Sequence, residues 1–200
     1  MTRPMLAGDR LRLRPIERSD LDAFIANAQD PLVGEIAGFI EPIGRAGAER
    51  WFDRTNARTQ SGEMAYFVVS ELNDDRFIGA ISLRGIEVQH GHGELGIFMD
   101  REHQGQGWGS EAQRVLLDYA FGELRLERVS LTVSPSNARA IRSYQKVGFS
   151  QEAVLRHAYW HHGAWEDAIL MGILRDEWLS QNRPRSWEIG ESGETDRPEG

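Results

Sequence analysis

The segment Gln104-Gly105-Gln106-Gly107-Trp108-Gly109-Ser110 lies between an alternating apolar run and a strongly amphipathic one. Alternating glycines let successive backbone N–H groups turn toward one point, and the start of the following helix adds its positive dipole end. Such a loop is a cradle for an anion of the phosphate or pyrophosphate kind. Taken alone, it serves equally as a tight structural turn. A nucleotide hydrolase with a Gly-Lys-Ser/Thr loop is excluded, because Lys146, the only lysine, lies elsewhere. A dinucleotide fingerprint is excluded as well, since its glycines stand G-x-G-x-x-G on the first strand–helix turn of a fold.

Other reactive residue types carry less. His90-Gly91-His92 with Glu94, and the pair His161-His162, superficially look like metal clusters. The trio lies in a Gly-rich turn with no second set of ligands and the pair at a hairpin tip, so they read as loop histidines and no metal is expected. With no cysteine in the chain, disulfides, thiolate metal sites, iron–sulfur clusters and a cysteine nucleophile are all ruled out. A G-x-S-x-G nucleophile elbow is also missing.

The elements that must position the glycine loop follow from hydrophobic periodicity. Alternation predicts strands over 10–15, 64–72, 76–88, 94–99, 128–134, 149–156 and 165–174. Apolar spacing predicts helices over 20–28 with Ser19 as cap, over 46–59 with Trp51 and Phe52 inward, and over 137–147. The helix after the glycine loop, 109–123, carries its apolar face at Ala112, Val115, Leu116, Tyr119 and Ala120. Residues 30–44, with Pro31, Gly34, Gly38, Pro42 and Gly44, read as a mobile loop. Strands followed by strand–helix–strand–helix–strand predict an α/β fold.

The whole chain of 200 residues has the length of one ordinary domain, able to bury roughly 70% of its unfolded surface. Residues 1–183 read as that domain and 184–200 as an acidic flexible tail too poor in apolar side chains to order itself. The formal charge of −8, with scattered arginines, gives no clustered cationic face for nucleic acid, though it would attract a cationic small molecule or basic peptide end. No apolar run approaches the ~18 residues of a membrane span, so no membrane partner is expected. The first nine residues are too short and polar for a signal peptide, and a cytoplasmic location is expected.

Gln104, Gly107 and Gly109 match the cofactor loop of the GNAT superfamily of N-acetyltransferases, written Gln/Arg-x-x-Gly-x-Gly/Ala. Upstream, Glu94-Leu-Gly-Ile-Phe-Met-Asp is similar to the family's fourth strand. Downstream, Asn137-Ala-Arg-Ala-Ile-Arg-Ser-Tyr-Gln-Lys-Val-Gly-Phe is similar to its Asn…Tyr…Gly-Phe signature. Leu11-Arg-Leu-Arg-Pro, Gly109-Ser-Glu-Ala and the closing Asp167…Met171…Leu174…Glu177-Trp178 resemble the ribosomal-protein N-terminal acetyltransferase branch, to which polyamine acetyltransferases are near relatives. The resemblance spans about residues 5–180. It implies a mixed, mostly antiparallel twisted sheet of six to seven strands with helices on both faces. It further implies direct transfer of an acetyl group from acetyl-CoA, as co-substrate, to the primary amine of a protein N-terminus or a small molecule. Polyamine or aminoglycoside-type acetylation, and a non-catalytic acyl-CoA-binding module, are the alternatives. Homodimers are frequent in the resembled branch, and one is expected here.

The resemblance also assigns residues. The backbone at Phe98 and Met99 with Gln104, Gly105, Gln106, Gly107, Trp108, Gly109 and Ser110 would hold the co-substrate, and Asn137 its pantetheine amide unless it only caps the helix. Tyr144 would protonate the departing thiolate, or else pack beside Ile141 as core. Glu94 would take the amine's proton through a water, or else be a solvated residue or an arginine's partner. Glu111 has the place of a partner for the helix dipole. Glu35 and Glu41 in the variable loop, and His161 at the tip of the last hairpin, would meet the acceptor amine, or else be polar surface.

Overall fold

Leu11 and Leu13 alternate with arginines, and this period of two makes β1 (Leu11–Arg14) a strand with buried leucines on one side. The computed structural model of the chain describes residues 6–38, 41–161 and 163–188. After β1 come α1 (Leu21–Gln29), α2 (Pro31–Ala37) and α3 (Arg45–Gln60), then a meander of β2 (Met64–Glu71), β3 (Phe77–Glu87) and β4 (His92–Met99). α4 (Trp108–Asp118) runs into a wider π turn over Tyr119–Glu123, and β5 (Arg128–Val133), α5 (Ala138–Val147), β6 (Ser150–His161), β7 (Ala164–Leu174) and α6 (Arg175–Leu179) complete the chain. The seven strands form one sheet in the order β1-β2-β3-β4-β5-β7-β6. Every pairing is antiparallel except that of β4 with β5.

Each face of this sheet carries an apolar patch covered by helices. On one, Leu13, Ile81, Leu95 and Met99 receive Val115 and Leu116 of α4. On the other, Val68, Ala80 and Phe98 receive Phe24 of α1 and Phe52 of α3. Burying each such Leu or Phe stabilises the fold by roughly 1.5–3 kcal/mol.

β4 and β5 pair only through His92↔Arg128, Gly93↔Val129 and Glu94↔Ser130. Beyond that point β5 follows β7 as far as Val133, while β4 follows β3 as far as Met99. The two parallel strands therefore part into a V. The edge of β4 that faces β5 carries no ladder over its second half, so backbone groups there are placed to meet a bound molecule.

Four expectations change. The segment 30–44 contains α2: Asp30 Oδ1 accepts the N–H groups of Leu32 (2.9 Å) and Val33 (3.0 Å), and Pro31 takes the first helical position. Ser19 is not the cap of α1; a 3₁₀ turn over Arg18–Asp20 precedes that helix, closed by Asp20 accepting the Glu17 N–H at 2.8 Å. β6 extends to His161 through a bulge between Leu155 and Tyr159, with His157 at φ +51°. Residues 184–188, the start of the expected tail, pack rather than trail. Asp118, 1% exposed, accepts from Trp178 Nε1 (3.1 Å), the Ser186 N–H (2.8 Å) and the Arg183 guanidinium, while Arg185 donates to Trp178 O at 2.8 Å. Of the expected tail, 189–200 lie outside the described residues.

Candidate active site

At the end of β4 the chain turns sharply. Asp100 accepts the His103 N–H at 2.9 Å and faces the His103 ring nitrogen, while Gln104 Nε2 donates to Met99 O at 2.9 Å. Gly105 (φ +77°) and Gly107 (φ +88°) then occupy the left-handed region that other residues enter at a cost of about 1–2 kcal/mol. Gly107 is the N-cap of α4 and offers no side-chain acceptor, so the first-turn amides are left pointing out of the helix. The loop is braced from behind. Glu111 accepts the Arg10 N–H (2.8 Å) and Nε (2.9 Å), and the Arg10 guanidinium lies over the Trp108 ring, 4.2 Å from its centroid. Glu111 thus does more than oppose the helix dipole: it ties β1 to α4. On the other side His103 meets the Trp108 ring edge-on at 5.7 Å.

α5 forms the facing wall. Asn137 Oδ1 caps it by accepting the Ala140 N–H at 3.1 Å, and Ser143 Oγ lies 2.9 Å from Ser110 Oγ, joining α5 to the first turn of α4. Tyr144 is 8% exposed, with its ring edge-on to Phe149 at 5.9 Å. It belongs to the core cluster and also lines the groove between α4 and α5. Among the described residues its hydroxyl has no hydrogen-bond partner. Burial pushes the Tyr144 phenol up to about 12, and the neighbouring Tyr159 adds to this.

The groove measures about 280 Å³. Phe98, Met99, Gln104, Gly105, Gly107, Gly109, Ser110, Asn137 and Tyr144 are among the residues that line it. Of the residues expected to hold the co-substrate, Gln106 and Trp108 stand apart: Gln106 turns back to Glu102 O, and Trp108 braces the loop from the side. Arg139, Arg142 and Lys146 also line the groove. The sequence reading passed over them because exposed cations on a helix ordinarily mark a solvated face.

On the sheet's other face the picture is more polar. Glu94 stands at the vertex of the V and is held by Arg84 at 2.7 Å, which is the arginine partnership rather than a free carboxylate. Thr132 points away from the α4 and α5 core and accepts from Tyr159 OH at 2.8 Å. Tyr159 is the register partner of Glu166, so the two share that face. Glu166 accepts from Ser134 Oγ at 3.1 Å, and His161 Nδ1 lies 3.7 Å from its Oε1. Glu166 and Asp167 with His157, Trp165 and the turn 134–136 enclose a second hollow of about 400 Å³. Nothing in the sequence singled out Glu166, since one acid in an alternating strand is ordinary. Glu41 is exposed ahead of α3, Glu35 falls on α2 with its side chain outside the described part, and His162 lies outside it altogether. Among the described residues no group of three or more His, Asp or Glu could hold a metal ion, and no helix is long and apolar enough to cross a membrane.

A cradle of uncapped amides, a groove leading to a split sheet and a buried tyrosine at the split suit a long phosphorylated thioester. Comparison with known proteins agrees. Residues 10–150 match the acetyltransferase (GNAT) domain. The probable N-acetyltransferase YjcK of Bacillus subtilis is 30% identical over 185 residues, spanning 86% of this chain and 98% of the relative. Spermidine N(1)-acetyltransferase of Escherichia coli K12 is 29% identical over 90% of this chain and 94% of the relative. The crystal structure of spermidine N-acetyltransferase from Vibrio cholerae in complex with CoA and spermine superposes with a TM-score of 0.77 at 28% identity, covering 86% of this chain and 99% of that one. These matches do not single out the ribosomal-protein branch. They do reach the family: this chain belongs to the GNAT acetyltransferases and is an acetyl-CoA-dependent N-acetyltransferase.

Proposed function

We propose that the acceptor is a small polyamine-like cation whose primary amine enters the split between β4 and β5 from the face opposite α4 and α5. The observation that carries this reading is the Glu166 carboxylate on that face, with Ser134 and His161 beside it. A polyamine has a second ammonium for Glu166 to hold while its primary nitrogen reaches the thioester. A peptide N-terminus has one charge at that distance and brings no second ammonium to Glu166. The chain's charge of −8 and its likeness to two spermidine acetyltransferases support the same choice.

In this reading each part of the groove has one task. The amides of the glycine loop and the first turn of α4 hold the diphosphate. Backbone N–H groups of β4 near Phe98 and Met99 meet the carbonyl oxygen as it turns negative. Asn137 keeps its side-chain N–H groups for the pantetheine amides while its oxygen caps α5. Tyr144 donates to the departing sulfur. Its phenol, pushed up to about 12, sits roughly 3.5 pH units above an alkyl thiol near ~8.5, so it gives a hydrogen bond rather than its whole proton. The nitrogen–carbon bond forms and the carbon–sulfur bond breaks; the thiol leaves with one amine proton, and the ammonium's other displaced proton goes to solvent. Glu94, engaged by Arg84, is given no base role.

Steady-state kinetics with spermidine and a short peptide tests the reading. Glu166→Gln is expected to raise KM for spermidine about tenfold, the worth of one ~1.4 kcal/mol contact, with KM for acetyl-CoA unchanged. Faster turnover of the peptide than of spermidine would overturn it.

A further inference from the structure

We propose that Arg139, Arg142 and Lys146 form a site for the 3′-phosphate of CoA, so that the enzyme selects CoA over carriers lacking that group. The inference rests on acetyl-CoA as the donor, and the identity of the acceptor plays no part in it.

The geometry begins at Ser143. Its hydroxyl lies 2.9 Å from Ser110 Oγ and also accepts from Gln113 Nε2 at 3.2 Å, so this flank of α5 faces the first turns of α4. Residues at i, i+4 and i+7 share a helix flank, which puts Arg139 and Lys146 one turn to either side of Ser143, with Arg142 adjacent. All three line the same groove as Gly105, Gly107 and Gly109. Their heads therefore stand across from the anion cradle.

The charges on that wall are uncommitted. Although the chain has 31 acidic residues, none of these three cations makes an ion pair or hydrogen bond among the described residues. The contrast is Arg10, which also reaches the loop but is neutralised by Glu111 at 2.9 Å and stacked on Trp108. Lys146 is the only lysine of the chain, and it falls on this wall.

CoA has two kinds of phosphate to satisfy. The diphosphate carries about one negative charge on each phosphorus and suits backbone amides and a helix end. The 3′-phosphate is a monoester with a charge near −1.5 to −2 at pH 7, and it hangs from the ribose next to the diphosphate. A dianion at the groove's rim calls for side-chain cations, and guanidinium forks serve it best. Arg139 and Arg142 supply the forks and Lys146 a point charge. Acyl groups tethered by phosphopantetheine to a carrier protein, which have one phosphodiester and no 3′-phosphate, would gain nothing from this wall.

Calorimetric titration of the full chain with CoA and with 3′-dephospho-CoA tests the site without requiring turnover. Wild type is expected to bind CoA at least 20-fold more tightly, with the ratio shrinking as salt rises. The triple variant Arg139→Gln, Arg142→Gln, Lys146→Gln should bring the ratio below about threefold while the dephospho-CoA affinity stays within twofold of wild type, which also reports that the fold is intact. Equal affinities in wild type, or an equal loss for both ligands in the variant, overturn the proposal. Binding of neither ligand by wild type would instead remove the donor assignment itself, so the two failures are distinguishable.

Discussion

Replacing Tyr144 by Phe removes one oxygen from the groove and almost nothing from the core. The ring stays, with its edge-on contact to Phe149 at 5.9 Å. The hydroxyl it loses has no hydrogen-bond partner among the described residues, so no buried group is orphaned and stability should stay within about 0.5 kcal/mol. The effect on turnover is expected to be far larger. A donor aimed at charge that develops in the transition state is worth about 2.7–4 kcal/mol, and its loss should lower kcat by about 10²–10³. KM for acetyl-CoA should change little, because the diphosphate is held elsewhere. Free-thiol release at saturating amine measures kcat, and thermal unfolding measures stability. The pH profile adds a sign. Since burial pushes the phenol up to about 12, Tyr144 stays protonated throughout the working range and should produce no fall in rate below about pH 11. A variant that keeps more than half of wild-type kcat, or one whose loss tracks a lowered unfolding temperature, would refute the donor role and leave Tyr144 as packing.

Glu111→Ala should both destabilise the chain and loosen the glycine loop. It removes the acceptor of the Arg10 N–H at 2.8 Å and of its guanidinium at 2.9 Å, from a carboxylate only 14% exposed, at a cost of about 1–3 kcal/mol by thermal unfolding. KM for acetyl-CoA should rise severalfold while kcat at saturation is kept; an unchanged KM would show that the brace does not govern the loop. Alkaline titration offers a second check. Burial holds the Tyr66 and Tyr144 phenols above the ~10 of free tyrosine, so the folded state keeps protons that the unfolded state releases. For Tyr144 that stabilising difference is complete below pH ~10 and is lost as pH rises through about 12, and for the more deeply shifted Tyr66 it persists to higher pH. Tyrosinate absorbance should therefore show these two phenols ionising together with unfolding, and ionisation of all four tyrosines near pH 10 in a folded chain would contradict the burial.

Elements whose residues repeat with a clear period were legible in the sequence. α4, with Val115 and Leu116 on its buried face, is the plainest case, and the meander of β2, β3 and β4 is another. The glycine loop was legible because its constraint is local: only glycine sits without strain at the positive φ of Gly105 and Gly107. What was not legible depended on distance in the chain. α2 hides behind Pro31 and Gly34, which usually interrupt helices, and it forms because Asp30 caps it and Val33 is buried. The packing of 183–188 depends on Asp118, more than sixty positions earlier, whose burial no local pattern announces. Glu166 belongs to the same class. Its face follows from the alternation of β7, but its neighbour Tyr159 is set opposite it by a bulge in β6, and bulges are invisible to a count of alternation.

The split between β4 and β5 organises charge as well as space. The sheet divides a groove lined by amides, Arg139, Arg142 and Lys146 from a face that carries Glu94 and Glu166. An anionic donor and a cationic acceptor would thus be drawn to opposite sides of one thin layer, although the chain as a whole is acidic. The β4–β5 ladder stops after Glu94 and Ser130, and the sheet opens between its two sides there. The point of reaction is then set by backbone topology rather than by any single side chain. Tyr144 is buried beside that opening, and among the described residues its hydroxyl has no hydrogen-bond partner, which is the arrangement the proposed donor role needs. This topology also implies that substitutions which extend the β4–β5 ladder toward Met99 would close the enzyme without touching any residue that binds a substrate.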